Sequence, residues 1–252
     1  EQPWEFSLSA SDLSRIPAGT AELQEHNDTN QITASAVAHE PGPGHEHDYS
    51  DVDTRNIPAA IYGHAVHRLC ETRPPDERRR HVIEQAVQEQ HDRTPGLTEA
   101  TYPDSAYDAI ETAADSAIRY LNNLHNTLDV QQIHDEYYIE LSLDTGTVSG
   151  FIDHLIVTPD KYHVIDYKTD RKPTTKTTDE FLDNRATHHQ PQLQAYAAAL
   201  SQQDPTRNVT ATLYFTDIED TYTWDSTEFT HALSDTVHQL GSLLDGTPVQ
   251  LE

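Results

Sequence analysis

The sequence predicts an α/β protein whose central mixed sheet contains an antiparallel meander and is flanked by helices, with an N-terminal helical insertion. Three observations predict this fold class. Apolar residues recur at helical spacing between residues 57 and 125, the period changes to two from residue 139, and helical spacing returns after residue 190. A length of 252 residues is enough to bury the core of one such domain.

The first 56 residues differ from the rest of the chain. They are polar and rich in Gly, Pro, Asp and His, with GPG at 42–44 and little sustained periodicity. Such a segment has too little apolar surface to fold by itself. We therefore predict an extended or poorly structured arm or linker over 1–56 and a folded domain over 57–252. Because the chain starts at Glu1 and contains no Met, we expect it to be a piece of a longer protein.

Three helices are predicted at the start of the folded domain. Their ranges are 57–72, 76–92 and 103–125. Pro74 and Pro75 separate the first two, because proline is not tolerated inside a helix. The third has the clearest apolar stripe, which consists of Tyr107, Ile110, Ala114, Ala117, Leu121 and Leu124.

Strands follow these helices. Ile139, Leu141 and Leu143 alternate with polar residues, and TGT at 145–147 indicates a turn. The segments VSGFIDHLIV and KYHVIDYK give two further strands, separated by TPD. The pattern predicts a three-stranded antiparallel meander.

The remainder of the domain alternates between helix and strand. A helix is predicted to begin at Pro191, since proline is favoured at the first helical position. Its expected core-facing stripe is Leu193, Ala197 and Leu200. The elements predicted after it are a strand at 208–216, a short strand near 221–225 and a helix over 227–245.

The charge of the chain has two interpretations. A formal charge of −27 argues against a polyanionic partner in dilute buffer. The low lysine content and the abundant Asp and Thr are instead typical of proteins from salt-accumulating halophiles. At molar salt the Debye length falls to about 3 Å, so that charges act only at close range. All four lysines lie within 161–176, and the window 161–185 has six basic residues against five acidic ones. We predict that this locally non-acidic segment faces phosphate, with Lys172 and Lys176 as substrate-binding candidates.

Several classes of site and location are excluded by the composition. Cys70 is the single cysteine, which excludes an internal disulfide, a four-thiolate zinc site and a cysteine-ligated iron–sulfur cluster within this chain. No apolar run approaches the roughly 20 residues that span a bilayer, and the N-terminus lacks the features of an export signal. We expect a cytoplasmic protein with no membrane association.

One cluster of charged residues predicts chemistry. Asp166 and Lys168 share a face of the strand 163–168, because side chains alternate along a strand. Asp153 lies in the preceding strand of the meander, where its carboxylate can converge on Asp166. Converging carboxylates repel each other unless a cation lies between them, and oxygen ligands favour Mg²⁺ or Mn²⁺. With Lys168 beside such an ion, the predicted chemistry is phosphodiester hydrolysis. The D-x-K motif alone would favour a simpler interpretation, an exposed polar strand edge.

Four segments together resemble the RecB-family PD-(D/E)xK nuclease domain, the C-terminal module of AddA-, RecB- and UvrD-type helicase-nucleases. They appear in the family's order. They are YGHAVHRLCE at 62–71, similar to the G-x-x-x-H helix; GFID at 150–153, similar to the glycine–hydrophobic–Asp strand; VIDYKTD at 164–170, similar to the D-Y-K strand; and QPQLQAYAAAL at 190–200, similar to the Q-x-x-x-Y helix. The resemblance implies a restriction-endonuclease-like core.

The resemblance also implies roles for individual residues. The implied metal ligands are His67, Asp153, Asp166 and the main-chain carbonyl of Tyr167, with Asp153, Asp166 and Lys168 catalytic. Gln192 and Tyr196 would face the DNA or support the site. Glu136 lies where some relatives carry an acidic residue near the metal, and is a second-tier candidate.

The activity implied by the resemblance is Mg²⁺- or Mn²⁺-dependent hydrolysis of DNA. The substrate would be single strands or DNA ends, cut by an exonuclease in repair or recombination beside a helicase or ATPase motor, in cis or in trans. No iron–sulfur cluster is expected, since the relatives that carry one need four cysteines.

Two other functions remain open. One is a catalytically inactive module that keeps the nuclease fold and binds DNA or acts as a scaffold. The presence of all the family's site side chains argues against it. The other is an acidic, metal-sequestering or protein-interaction domain, supported by the charge and by 16 histidines, among them His45, His47, His188 and His189. His188 and His189 precede the helix predicted from Pro191 and are also candidates for phosphate contact.

Overall fold

The computed structural model describes residues 6–9, 57–93, 102–143 and 146–225. In chain order the elements are β1 (Phe6–Ser9), α1 (Ala59–Thr72), α2 (Asp76–Arg93), α3 (Asp104–Thr127), β2 (Gln132–Leu143), β3 (Gly146–Val157), β4 (Lys161–Lys168), α4 (Thr178–Gln203), β5 (Asn208–Phe215) and β6 (Asp220–Trp224). The predicted α/β architecture is confirmed, including the first three helices, the meander and the two later strands. The helix predicted over 227–245, together with His45 and His47, lies outside the described residues.

The strands form one mixed, six-stranded sheet. The pairs β2–β3, β3–β4 and β5–β6 are antiparallel, whereas β1–β3 and β4–β5 are parallel. Parallel neighbours need a long crossover, and α4 provides it between β4 and β5. β1 lies within the range predicted as an arm and is part of the sheet.

β3 has two different neighbours along one of its edges. Its other edge pairs with β2 over almost its whole length. On the first edge, β1 pairs with residues 146–149 and β4 pairs with residues 154–157. Among the described residues, no strand pairs with 150–153 on this edge. We call this interval between β1 and β4 the fork.

Helices cover both faces of the sheet. α4 packs on one face and α1–α3 pack on the other, each over its own cluster of buried side chains. Along β4, Val164 belongs to the α4 cluster, whereas Ile165 and Tyr167 belong to the α1–α3 cluster. The alternation therefore places Asp166 and Lys168 on the α4 side, as the period of two predicts.

α1 is held close to the end of β4. A Cβ atom added to Gly63 would lie 3.1 Å from Oγ1 of Thr169, so that glycine permits this approach without displacement. The helix ends at Arg73, whose φ of 42° is left-handed and whose backbone N–H donates to the Leu69 carbonyl at 2.9 Å. These two features fix how far α1 extends along the sheet.

α4 begins earlier than predicted. The expected start at Pro191 is wrong, because the helix runs from Thr178 and contains Pro191 in its interior. Thr177 and Glu180 form a capping box that starts the helix, with the Glu180 N–H donating to Thr177 Oγ1 at 3.3 Å and the Thr177 N–H donating to Glu180 Oε2 at 2.9 Å. His188 therefore lies inside α4 rather than before it.

Two further findings concern Cys70 and the membrane. Cys70 is buried, and burial raises the pKa of its thiol to about 12, which makes it a poor nucleophile. In the described part of the chain, every helix is too short or too polar to cross a bilayer.

Candidate active site

Asp166 and Lys168 form an ion pair at the end of β4. Lys168 Nζ lies 2.7 Å from Asp166 Oδ2, and Asp166 is only 1% exposed. Burial opposes the charge of Lys168, but the carboxylates of Asp166 and Asp153 outweigh burial and raise its pKa. The lysine therefore keeps its proton at neutral pH.

Asp153 bridges the fork. The pairing of β3 with β4 ends at His154 and Ile165, and beyond it Asp153 Oδ2 accepts a hydrogen bond from the Tyr167 backbone N–H at 2.8 Å. The side chain thus continues the connection between the strands where the backbone ladder stops. This contact brings Asp153 against the residue that follows Asp166 on β4, whereas the convergence of the two carboxylates stays a prediction.

His67 reaches the fork from α1. Its Nδ1 lies 3.3 Å from Asp153 Oδ1, and its Nε2 lies 3.1 Å from the Tyr167 carbonyl oxygen. Both partners are acceptors, so an imidazolium ring that donates from both nitrogens satisfies both contacts. Burial lowers the pKa of His67, but the attraction of Asp153 and Asp166 outweighs it and raises the pKa to about 9.

Glu136 joins this group from β2. Its ligand oxygen lies within 4.8 Å of those of His67 and Asp153. Glu136 has a φ of 49°, in the left-handed region, and the register with β3 continues on either side of it, through Asp135–His154 and Tyr137–Ile152. A non-glycine residue in this conformation costs on the order of 1 kcal/mol or more, which is typical of residues held at functional sites.

Three carboxylates share the fork. Burial raises the pKa of Glu136 to about 7 and that of Asp166 to about 6, and repulsion from Asp153 adds to both. The pKa of Asp153 is lowered despite burial, because His67, Lys168 and the Tyr167 amide stabilise its charge. Three carboxylates thus face two positive charges, those of Lys168 and of the His67 imidazolium.

The donor set suits a divalent cation. His67, Asp153 and Glu136 offer one imidazole nitrogen and two carboxylate oxygens within 4.8 Å of one another. The Tyr167 carbonyl oxygen contacts the same histidine, His67, and Asp166 is the residue before Tyr167 on β4. Oxygen-rich sets of this kind favour Mg²⁺ or Mn²⁺, and His67 would lose its proton on becoming a ligand. Glu136, only a second-tier candidate from the sequence, is therefore one of the three convergent donors.

Gln192 and Tyr196 form a relay behind the lysine. Lys168 Nζ donates to Gln192 Oε1 at 3.3 Å, Gln192 Nε2 donates to Tyr196 Oη at 2.9 Å, and Tyr196 Oη donates to the Phe151 carbonyl at 2.7 Å. Both side chains are buried. Of the two roles expected for them, facing the DNA or supporting the site, these contacts favour support.

The lysines after β4 lie outside this constellation. The Lys172 N–H donates to Asp217 Oδ2 at 3.1 Å, and Lys172 Nζ donates to the Lys176 carbonyl at 3.2 Å. Both lysines are in the segment between β4 and α4, where Lys172 is half-buried and Lys176 is exposed. Their expected contact with substrate remains a prediction.

The segment 161–185 is less basic than its sequence indicates. Arg185 pairs with Asp170, and His189 Nε2 lies 3.5 Å from Asp170 Oδ2. Burial lowers the pKa of His189 to about 4, so this ring is neutral at pH 7. Burial opposes the charge of Asp170, but His189 and Arg185 lower its pKa to about 2. His189, one of the two histidines predicted to contact phosphate, is therefore buried, uncharged and in contact with Asp170.

A second cluster of titratable groups lies beside the site, and sequence reasoning missed it. We call His125, His154, Asp135 and Arg73 the buried histidine cluster. His154 Nδ1 lies 2.6 Å from Asp135 Oδ1, and His154 Nε2 lies 3.0 Å from His125 Nε2. Arg73 donates to Asp135 Oδ1 at 2.9 Å. Both nitrogens of His154 are thus used within the cluster.

Comparisons with known proteins identify a family and structures to which this chain is similar. The family model of the PD-(D/E)XK nuclease superfamily matches residues 45–247. A search of the curated proteins finds no match. Among solved structures, the chain is similar to a "Putative exonuclease" from Eubacterium rectale, with 12% identity, a TM-score of 0.42, and coverage of 76% of this chain and 69% of that one. It is also similar to an alkaline exonuclease from Laribacter hongkongensis, with 14% identity, a TM-score of 0.30, and coverage of 74% and 92%.

Proposed function

The chain belongs to the PD-(D/E)XK nuclease superfamily, and from that premise we propose that it hydrolyses the phosphodiester bonds of DNA with Asp153, Asp166 and Lys168. The observation that carries the proposal is the fork itself. Three carboxylates, one histidine and one protonated lysine converge where β3 and β4 separate.

A divalent cation would be held by His67, Asp153, Glu136, Asp166 and the Tyr167 carbonyl. Bound there, Mg²⁺ or Mn²⁺ would neutralise charge on the scissile phosphate and make a water more acidic. Asp153 and His67 are preorganised for this, because hydrogen bonds already fix both side chains against the Tyr167 backbone. Mg²⁺ and Mn²⁺ fit the same oxygen-rich set, and a titration with each ion distinguishes them.

Lys168 supplies positive charge at the reacting phosphate. Since its raised pKa keeps it protonated, it acts as a hydrogen-bond donor rather than as a base. Asp166 and Gln192 hold its Nζ atom from two sides, at 2.7 Å and 3.3 Å. A donor fixed in this way costs little reorganisation when charge develops on the phosphate oxygens.

We extend the proposal to a RecB-like role on the strength of the four ordered motifs. The enzyme would act as an exonuclease on single strands or ends, in cytoplasmic repair or recombination, beside a helicase or ATPase motor in cis or in trans. Lys172 and Lys176 would contact the substrate, and 57–252 would be the nuclease domain with 1–56 as its arm. The charge of −27 supports an origin in a salt-accumulating organism.

The test is digestion of end-labelled single- and double-stranded DNA at molar KCl with Mg²⁺ or Mn²⁺. Cleavage by the wild type should disappear with EDTA and in Asp166→Ala, which removes a site carboxylate and little core volume. Asp179→Ala, in the exposed first turn of α4, is the matched control and should cut normally. Retained cleavage by Asp166→Ala at unchanged metal would contradict the site assignment.

The same experiment tests the inactive-module alternative. Folded wild type that binds DNA but cuts none of the substrates in either metal would favour a binding or scaffold function. The presence of all the site groups in one fork favours the enzyme, since an inactive module has no need to keep them together.

A further inference from the structure

Two large aromatic side chains are exposed next to the fork. Tyr138 is 52% exposed and Phe151 is 54% exposed, and they are direct cross-strand partners on β2 and β3. Their ring centroids are 5.4 Å apart in an edge-to-face arrangement. Exposed, adjacent aromatics are costly to leave in water, and each ring offers an apolar face.

We propose that Tyr138 and Phe151 form a stacking surface for an unpaired nucleobase adjacent to the cleaved phosphate. The inference rests on the proposed nuclease function and specifies how the substrate is held. Stacking on aromatic side chains is how proteins bind single strands without reading sequence, because every base has a π face. Paired bases inside a duplex cannot reach such a surface, so the pair favours unpaired DNA.

The position of the pair along the strands supports this role. Phe151 is two residues before Asp153 on β3, and Tyr138 is two residues after Glu136 on β2. Two residues of a β-strand span roughly 7 Å. Because Ile139 and Ile152, the chain neighbours of the pair, face α4, the two rings lie on the opposite face, from which His67 reaches the fork. A base stacked there would belong to a nucleotide next to the phosphate at the carboxylates.

The backbone of Phe151 is connected to the catalytic lysine. Its carbonyl accepts the Tyr196 hydroxyl at 2.7 Å, at the end of the relay that begins at Lys168. Residue 151 lies in the interval where β3 has no strand partner on this edge among the described residues. In this interval the relay supplies a hydrogen bond to the β3 backbone, and it fixes the backbone of Phe151 relative to Lys168.

The charges around the pair also favour a base over a phosphate. Glu140 lies two residues from Tyr138 on β2, on the side away from the fork, and the Tyr138 hydroxyl donates to it at 3.1 Å. A phosphate would be repelled there, whereas a neutral base would not. The basic side chains Lys172 and Lys176 instead follow β4 in the chain, and the Lys172 backbone N–H donates to Asp217, which follows β5. The substrate would thus direct its backbone toward that segment and a base toward the pair.

The test combines protein variants with abasic substrates. A series of labelled single-stranded oligonucleotides is prepared, each with one abasic site at a different position relative to the cleaved bond. The value of kcat/KM is measured for each oligonucleotide. For the wild type, one position should lower kcat/KM roughly tenfold. In the double variant Tyr138→Ala with Phe151→Ala, kcat/KM on intact DNA should fall by a similar factor, and the abasic site should cost nothing further. Tyr138→Phe with Phe151→Tyr, which keeps both rings, should behave as the wild type.

The outcomes separate this inference from the function it rests on. No cleavage of any DNA by the folded wild type would contradict the proposed function itself. Normal cleavage with equal abasic penalties in the wild type and the double alanine variant would overturn the stacking surface alone. If the double variant instead cuts normally and sediments as a smaller species than the wild type, the pair is a contact between copies of this chain. Single variants at each position keep the test valid if the double variant does not fold.

Discussion

Two histidine–carboxylate clusters lie on neighbouring residues of the same two strands, yet they differ in composition. His67, Asp153 and Glu136 converge at the fork. Immediately next to them in sequence, Asp135 and His154 belong to the buried histidine cluster, where His154 is completely buried. The left-handed residue Glu136 stands at the boundary between the two.

The two clusters differ in how their negative charge is compensated. In the buried histidine cluster, Asp135 already has the guanidinium of Arg73 at 2.9 Å and His154 at 2.6 Å. At the fork, three carboxylates face Lys168 and His67. The raised pKa of His67, together with the raised pKa values of Glu136 and Asp166, indicates that the fork favours additional positive charge. A histidine beside an aspartate therefore does not define a metal site. Uncompensated carboxylates do, because a cation lowers their repulsion.

The largest expected effect is a loss of kcat that occurs when Asp153 is changed and does not occur when Asp135 is changed. Asp153→Asn should reduce cleavage at least roughly thousandfold, the scale on which loss of a group acting in the transition state is felt. Asp135→Asn, the matched change in the buried histidine cluster, should leave kcat within about threefold because it touches no reacting group. The measurement is kcat under saturating Mg²⁺ on single-stranded DNA. Similar losses of kcat in both variants would erase the distinction between the clusters.

The buried histidine cluster should act on stability instead. His154→Ala leaves a cavity and deprives His125 of its partner, and should lower the free energy of unfolding by about 2–4 kcal/mol. His81→Ala, at an exposed position of α2, should change it by less than about 0.5 kcal/mol. Urea unfolding followed by circular dichroism gives both values. An unfolding free energy equal to that of the wild type would show that the cluster is not structural.

Glu136 should matter for metal affinity more than for the rate at saturation. Glu136→Gln keeps the shape of the side chain but removes a charged oxygen donor, and should raise the metal concentration for half-maximal cleavage roughly tenfold. Glu140→Gln, four residues along β2, is the control, since its side chain is exposed and contacts Tyr138 rather than His67. An unchanged metal requirement in Glu136→Gln would remove Glu136 from the ligand set.

The pH dependence of stability gives an independent check on Glu136. Burial raises its pKa from 4.5 to about 7, so folding favours the protonated form. In EDTA, its contribution to stability is therefore present at low pH and is lost as the pH rises from about 4.5 through 7. Since glutamine imitates the protonated form, Glu136→Gln should be more stable than the wild type at pH 8 and about equal to it at pH 4. A variant less stable than the wild type at pH 8 would contradict this electrostatic account.

The sequence predicted those parts of the site that lie on regular elements. Asp166 and Lys168 share a face because a strand has a period of two, and the meander placed Asp153 beside them. Periodicity says nothing about Glu136, whose left-handed backbone interrupts the alternation and turns its side chain toward His67. A left-handed backbone at a non-glycine residue has no signature in the sequence pattern, and Glu136 was therefore only a second-tier candidate.

The same limit applies to α4. Pro191 indicated a helix start, but the T-x-x-E pattern at 177–180 is the cap that the fold uses. With a start at Pro191, Gln192 would lie in the first turn of the helix, whereas Gln192 and Tyr196 are both buried in the middle of α4. The stripe of Leu193, Ala197 and Leu200 is buried as expected, but it is only part of a surface that is buried on several sides.

The smallest expected effect concerns the relay that this buried part of α4 provides. Tyr196→Phe keeps the ring but removes the hydroxyl that joins Gln192 to the Phe151 carbonyl. Leaving these two groups unpaired should lower the free energy of unfolding by about 1 kcal/mol, and a less restrained Lys168 should lower kcat a few-fold. Tyr222→Phe, which removes a hydroxyl on β6 away from the fork, should change neither quantity. If Tyr196→Phe loses stability but keeps the wild-type kcat, the relay supports the fold of the fork without orienting the lysine.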